Sequence, residues 1–464
     1  TYTFTSRQIV VEPAPADHPD PAAIARFQKA IAIPTVSLPE KVDTAAFLRL
    51  DTFIRQNFAR LDTLLEKKVF NRFSRLYKWP GKNAKLDPIL LMAHLDVVPV
   101  ETGSLDAWEA PPFSGEMRDR YIYGRGTMDD KFSAFAILEA VSRLLQKEYI
   151  PERTVYIALG HDEETGGKHG AQAIAQWCAK ENLHFDFVLD EGGFVLRNAL
   201  PGLDPPLAMI GIAEKGYVTL QLTARLDEGG HASIPPHTTA IGLLAESLHR
   251  LRENPFPAKT EGAVGQMFDY VGPEMRWPYR VLFANRWCLE DILLDQLAKK
   301  NTSNALIRTT IAPTLLQAGF KDNVLPTQAQ ATINFRILPG ETIQTVIEYV
   351  EKIIDDPRVQ VEIADAGNQT EPSPVSDTNA FGFEILHTTI REIFPESVVA
   401  PSLMVAGTDS RHFAAVSDHI YRFLPMTLDP DDTKRFHGLN ERIGTGDYHK
   451  GIYFYQRLIE NACR

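Results

Sequence analysis

Asp162, Glu163 and Glu164 stand in a row just after an apolar run, "TVYIALG" (Thr154–Gly160). Other acids also stand at the ends of apolar runs. Asp190 and Glu191 end "FDFVLD" (Phe185–Asp190) and open "LDEGG", and Asp129 and Asp130 lie in "GRGTMDDK" (Gly124–Lys131) just before a helix-like stretch. His94 and Asp96 close "PILLMAHL" (Pro88–Leu95), and His437 stands late in the chain in "RFHGLNERI". Carboxylates this crowded do not all ionise without compensation. Two divalent cations would supply it, held by histidines and carboxylates with one carboxylate shared. The single residue between His94 and Asp96 puts both on one side of an extended chain. Asp96 can then accept the second imidazole N–H and set which nitrogen faces a metal.

Taken alone, each cluster has a plainer reading. A His-x-Asp is usually a structural hydrogen-bonded pair. Asp129 and Asp130 can be helix N-cap residues, and "HDEET" can be a solvated turn. Acids at several strand ends of one sheet favour the metal reading over these. No GxSxG elbow, Walker A loop or GxGxxG followed by a suitable acid competes with it.

The elements that would position these residues alternate. The runs Pro88–Leu95, Thr154–Gly160 and Phe185–Asp190 read as strands, with helix-like stretches Phe132–Gln146 and His169–Lys180 between them. Such alternation predicts an α/β fold with a mixed, mostly parallel sheet covered by helices, in which ligands bind at the carboxyl ends of the strands. Tyr217–Leu226, Thr238–Leu251, Ile307–Gln317, Gln328–Leu338, a helix through Ile343 and Ile354, and Arg358–Ala364 read in order as β-α-β-β-α-β, the split βαβ sandwich. The expected division is therefore a sheet domain in two parts, 1–214 and 366–464, with a smaller domain, 215–365, inserted between them. Asn254–Asn304 reads as a long insertion. It carries four aromatic residues, Phe268, Trp277, Phe283 and Trp287.

The 464 residues carry a net charge of −12, which argues against a nucleic-acid partner. No apolar run approaches the roughly 20 residues of a membrane span. Three cysteines without CxxC spacing (Cys178, Cys288, Cys463) exclude a disulfide framework and a thiolate metal site. Thr1–Asp20 is proline-rich and reads as an extended arm; with no signal peptide there and no initial Met, a targeting segment is expected to be missing, which favours export, whereas few cysteines fit the cytoplasm, so the compartment stays open. Asn301-Thr302-Ser303 and Asn368-Gln369-Thr370 fit the glycosylation pattern, most simply by chance.

The ordered motifs "HLDVVP", "GRGTMDDK", "GHDEETGG", "LDEGG", "GGHASIPP", "NFRILPG", "GTDSRHF" and "FHGLNERI" span roughly His94 to Ile443. They resemble the co-catalytic di-zinc metallopeptidases, a family that includes aminoacylase, acetylornithine deacetylase, carnosinase and carboxypeptidase S. The likeness is strongest to the branch of carboxypeptidase S and the N-fatty-acyl-amino-acid synthase/hydrolases. The resemblance implies two Zn²⁺ ions (Co²⁺ or Mn²⁺ as substitutes) with a bridging water or hydroxide. One ion would be held by His94 and Asp190, the other by Glu164 and His437, and Asp129 would bridge them. Glu163 would be the general base and Asp96 the orienting acid. His231 would reach the reacting carbonyl, often from a partner subunit. Arg336, Asn323, Gly407 and Thr408 would contact the substrate, Arg336 by clasping its free carboxylate. The implied activity is hydrolysis, and in reverse formation, of the amide bond of N-acyl amino acids, N-fatty-acyl ones foremost. A carboxypeptidase or dipeptidase of the carboxypeptidase S kind is the alternative, and a non-catalytic metal-holding amino-acid-binding protein is the alternative outside enzymes. The resemblance makes residues 215–365 a catalytic domain's lid, whose Phe268, Trp277, Phe283 and Trp287 would either line an acyl channel or form lid core; the implied partners are a small N-acyl amino acid or short peptide as substrate and a second copy through the lid.

Overall fold

The computed structural model of the chain describes residues 4–39, 41–364, 367 and 369–464. Asn368 of the second glycosylation pattern and the expected boundary at 365/366 lie outside the described residues.

The larger sheet has eight strands, in the order Val398–Met404, Leu207–Glu214, Ile420–Leu428, Phe187–Leu196, Ile89–His94, Val155–Gly160, Ser74–Trp79 and Glu66–Phe70. Pairing is parallel through the centre, from Ile420–Leu428 to Val155–Gly160. It turns antiparallel where Ser74–Trp79 and Glu66–Phe70 close one edge. Alternate side chains of one strand enter separate cores. Ile89 and Leu91 pack with the helix Lys131–Gln146, while Leu90 and Met92 pack with the helix Ala171–Lys180. Burial on both faces explains why these strands read as continuous apolar runs. At the far edge, the Gln8 side chain both donates to Val399 O (2.9 Å) and accepts from Val399 N (2.8 Å), capping part of an open strand.

The smaller sheet is antiparallel, in the order Thr310–Ala318, Gln328–Ile337, Gly216–Arg225 and Val359–Ile363. With the helices Ala240–Glu253 and Ile343–Ile354 it is the split βαβ sandwich and has a core of its own, built on Val218, Leu220, Ile333 and Phe335. The chain passes between the sheets at Glu214–Gly216 and Thr370–Ser373. There Tyr217 and Thr370 exchange both backbone hydrogen bonds at 2.8 Å. A Cβ on Gly216 would lie 2.6 Å from Pro372 N, so this close approach requires glycine.

The aromatic residues of the inserted stretch do not form lid core. Phe268 and Phe283 are buried, but in the core of the large sheet rather than that of the lid. The helix Gly262–Val271 packs along the edge strand Val398–Met404. Trp277 and Trp287 are 81% and 84% exposed. Sequence periodicity marks these residues as apolar but carries no information on which of two cores receives them. No helix among the described residues is long and apolar enough to cross a membrane.

Candidate metal centre and substrate cleft

His94 and Gly160 are paired at the ends of two adjacent parallel strands. After Gly160 the chain turns sharply: Gly166 and Gly167 take positive φ (100° and 68°), and their N–H groups bond back to Glu163 O and Asp162 O. A fully buried carboxylate holds this turn. Asp96 accepts the backbone N–H of Glu163 (3.1 Å) and of Glu164 (3.2 Å), while His94 Nδ1 faces Asp96 O (3.0 Å) and Asp96 Oδ1 (3.3 Å). Asp96 thus orients the imidazole and also the pair of glutamates, and the second task was not foreseen from the His-x-Asp spacing.

Asp129 reaches both histidines, Oδ1 to His94 Nε2 (2.9 Å) and Oδ2 to His437 Nε2 (3.1 Å). His437 Nε2 also lies 3.3 Å from Glu164 Oε2. Burial alone would raise the Asp129 carboxyl, but the two imidazole hydrogen bonds outweigh it and hold the group below the usual carboxylate range. Bonds to Asp129 and Glu164 in turn push His437 up to about 10. Burial raises Glu163 and Glu191 well above their ordinary values and raises Glu164 as well. Asp130 turns away and caps the helix Lys131–Gln146, accepting from Ser133 N.

Two sets of ligand atoms gather within 4.8 Å of one another: His94, Glu163 and Glu191, and His94, Asp129 and Glu164. Glu164 Oε1 is buried without a hydrogen-bond partner. Imidazole nitrogens with crowded, desolvated carboxylate oxygens suit hard or borderline divalent cations, so the residues fit the metal that the acids called for.

Asp190 and Glu191, the two neighbouring acids of "LDEGG", have different partners. Asp190 Oδ2 accepts from Ser410 N (2.8 Å), whereas Glu191 Oε1 lies 3.5 Å from His94 Nε2. Neighbouring residues of a strand tend to face opposite sides, and the spacing alone did not show which acid of the pair would meet His94. Thr408 is tied to another buried carboxylate. Its N–H and hydroxyl are engaged by Glu214 Oε1 (3.0 and 2.7 Å), which also pairs with the buried Arg422, so Thr408 does not line the cleft.

One further carboxylate went unnoticed in "FHGLNE". Glu441 is fully buried, and its Oε1 accepts from Gly126 N (2.9 Å) and Met128 N (2.8 Å), while Oε2 takes Arg125 Nη1 (2.6 Å). Arg125 Nη2 continues to His437 O (3.0 Å). One side chain thereby ties the loop bearing Asp129 to the loop bearing His437. The signal was an acid four residues from a candidate ligand, which spacing alone cannot separate from an exposed one.

A cleft of about 700 Å³ opens over Glu163, Glu164 and His437 and reaches Arg336, Lys215, Tyr217, Gly407 and Arg411. Arg336 stacks on the Tyr217 ring at 4.8 Å. His231 and Asn323 are brought together on a two-stranded ribbon, Gly230–His231 with Val324–Leu325, where Ala232 N donates to Asn323 O. Neither lines the cleft; His231 is exposed, with Nδ1 bonded to Ser233 Oγ (2.8 Å).

Known proteins share this chain and fold. The description "Peptidase family M20/M25/M40" matches residues 90–461. A probable carboxypeptidase S-like 2 of Dictyostelium discoideum is 41% identical over 100% of this chain and 90% of its own. The N-fatty-acyl-amino acid synthase/hydrolase of Homo sapiens is 40% identical over 93% of this chain and 86% of its own. The crystal structure of an M20 family metallo-carboxypeptidase from Sulfolobus solfataricus superposes with a TM-score of 0.66 at 17% identity, covering 95% of this chain and 99% of that one.

Proposed function

Because the chain belongs to peptidase family M20/M25/M40 and is a hydrolase of amide or peptide bonds, we propose that its substrates are N-acyl amino acids, N-fatty-acyl amino acids foremost. When acid and amine are both abundant, the same site would join them. The observation that carries this reading is the cleft itself, with the acid-histidine group on one wall and Arg336 on the other. A substrate with an amide at one end and a free carboxylate at the other meets complementary chemistry at both.

In this reading His94 and Glu191 hold one zinc, Glu164 and His437 hold the second, and Asp129 serves both; cobalt or manganese would suit the same donors. When bound, the metal pair supplies Lewis acidity and lowers the pKa of water toward neutrality. Glu163 stands beside Glu164 on the turn held by Asp96, so one glutamate can bind while the other receives a proton. Its burial-raised carboxyl suits a general base that later returns the proton to the leaving nitrogen. Arg336 clasps the carboxylate in a bidentate pair. Residues 215–365 act as the lid. His231 reaches the acyl carbonyl from a second copy or after the lid closes, adding an oxyanion donor of a kind whose removal costs roughly 10²–10³ in rate.

A product assay comparing N-oleoyl-phenylalanine with ordinary dipeptides, with and without chelator, tests the reading. Faster release from the N-acyl amino acid is expected, with activity lost on chelation and restored by zinc. Faster dipeptide cleavage would instead favour a carboxypeptidase of the kind named for the Dictyostelium relative.

A further inference from the structure

Among the described residues, Arg411 has a guanidinium that no carboxylate answers. It lines the cleft, yet no acid lies within ion-pair distance, and its Nε is buried without a hydrogen-bond partner. Asp409, two residues earlier, feels its charge but stays beyond that distance. The other cleft charges are otherwise engaged or solvated. Lys215 Nζ donates to Ala305 O (2.9 Å) and Arg308 O (2.7 Å), Glu371 accepts from Ile343 N (3.0 Å), and Lys168 is exposed. Room for the guanidinium comes from a missing side chain: a Cβ on Gly407 would lie 3.0 Å from Arg411 Nη1.

Arg336 looks into the same cleft, also without an acidic partner, and the Arg411 charge adds to burial in lowering its pKa. Two like charges sharing a partly desolvated space repel until an anion separates them. They come from separate sheets, Arg336 from the small sheet and Arg411 from the loop that follows the large-sheet strand Val398–Met404.

We propose that Arg411 is a second specificity-determining cation, and that the substrate's free carboxylate is held between Arg336 on the lid and Arg411 on the sheet domain. This rests on the reading of the cleft as the site of a carboxylate-bearing amide. A carboxylate gripped from both sides excludes uncharged relatives more strongly than one guanidinium can, and it ties the lid to the sheet domain only when a correct substrate is present.

The test is the ratio of kcat/KM for N-oleoyl-phenylalanine to that for its C-terminal carboxamide, measured on the metal-loaded enzyme and repeated with a dipeptide and its carboxamide. Arg411→Gln is expected to lower the ratio about 10–100-fold, the scale of a charge-assisted hydrogen bond, mainly by raising KM for the acid. Arg411→Lys should restore part of it. Arg336→Gln should act similarly, and the double variant should lose less than the product of the two. An unchanged ratio in Arg411→Gln would overturn the proposal, as would equal losses on acid and carboxamide, or a wild-type enzyme that does not discriminate on either pair. If the wild-type enzyme prefers the dipeptide, the N-acyl reading falls, while the dipeptide ratio still decides the role of Arg411.

Discussion

The two walls of the cleft are built on different principles. The acid wall is rigid and over-determined: Asp96 grips the turn of Glu163 and Glu164, Glu441 grips the loop of Asp129, and Arg125 carries that grip to His437. Its crowded carboxylates lie at the ends of buried strands. The cationic wall is sparse: its two guanidiniums come from separate sheets, and no carboxylate among the described residues pairs with either. Two histidines show the contrast. His437 is pushed up to about 10 by the carboxylates it touches, whereas His412, beside Arg411, is pushed down to about 4 by burial and then by that guanidinium. One wall carries donors suited to cations and the other guanidiniums suited to an anion, which is the complementarity that the proposed function draws on.

Removing a proton acceptor without disturbing the wall should have the largest effect. Glu163→Gln is expected to lower kcat by roughly 10²–10⁴-fold, the usual worth of general acid–base catalysis, with metal content by elemental analysis unchanged. Loss of metal instead would make Glu163 a ligand. A sharper probe of the strand alternation is the pair Glu191→Gln and Asp190→Asn. The first should drop bound metal below two per chain, and the second should leave metal binding intact; the reverse outcome would return Asp190 to the group. Glu441→Gln keeps the shape but removes the charge facing Arg125. Metal affinity should weaken about 10–100-fold, as when a ligand's supporting partner is lost, and a competition titration with a metal indicator would read it.

The smallest expected effect is a pH dependence of the metal-free protein. His412 has a folded pKa below its unfolded value of about 6.5. The unfolded chain therefore binds the proton first as pH falls, so this contribution is present above that value and lost as pH drops toward about 4. His437 has the opposite sign: its contribution is full below about pH 6.5 and lost as pH rises toward about 10. Arg411→Gln should raise the His412 pKa and leave that of His437 in place, which an NMR titration would resolve. Equal movement of both would mean that the walls are not electrically separate.

Much of this was legible from residues alone. Alternating apolar runs and helices marked the covered sheet because buried central strands must be apolar on both faces. His94, Asp96, Asp129, Glu163, Glu164 and His437 do converge, because strand ends in such a sheet point to one rim. Asp190 and Thr408 show the limit, since a one-residue change of facing in a strand or loop leaves composition and spacing untouched. Glu441 and Arg411 were passed over for a related reason: their meaning lies in partners present or missing across hundreds of residues of chain.

By itself, then, the order of residues determined the type of fold, the family and the kind of chemistry, since periodicity and motif spacing are local properties of a chain. Only the tertiary structure decided which of two neighbouring acids faces the group, which core receives the insertion, and which charges remain unanswered. Those depend on side-chain direction and on contacts between distant segments, and a linear pattern does not encode either one.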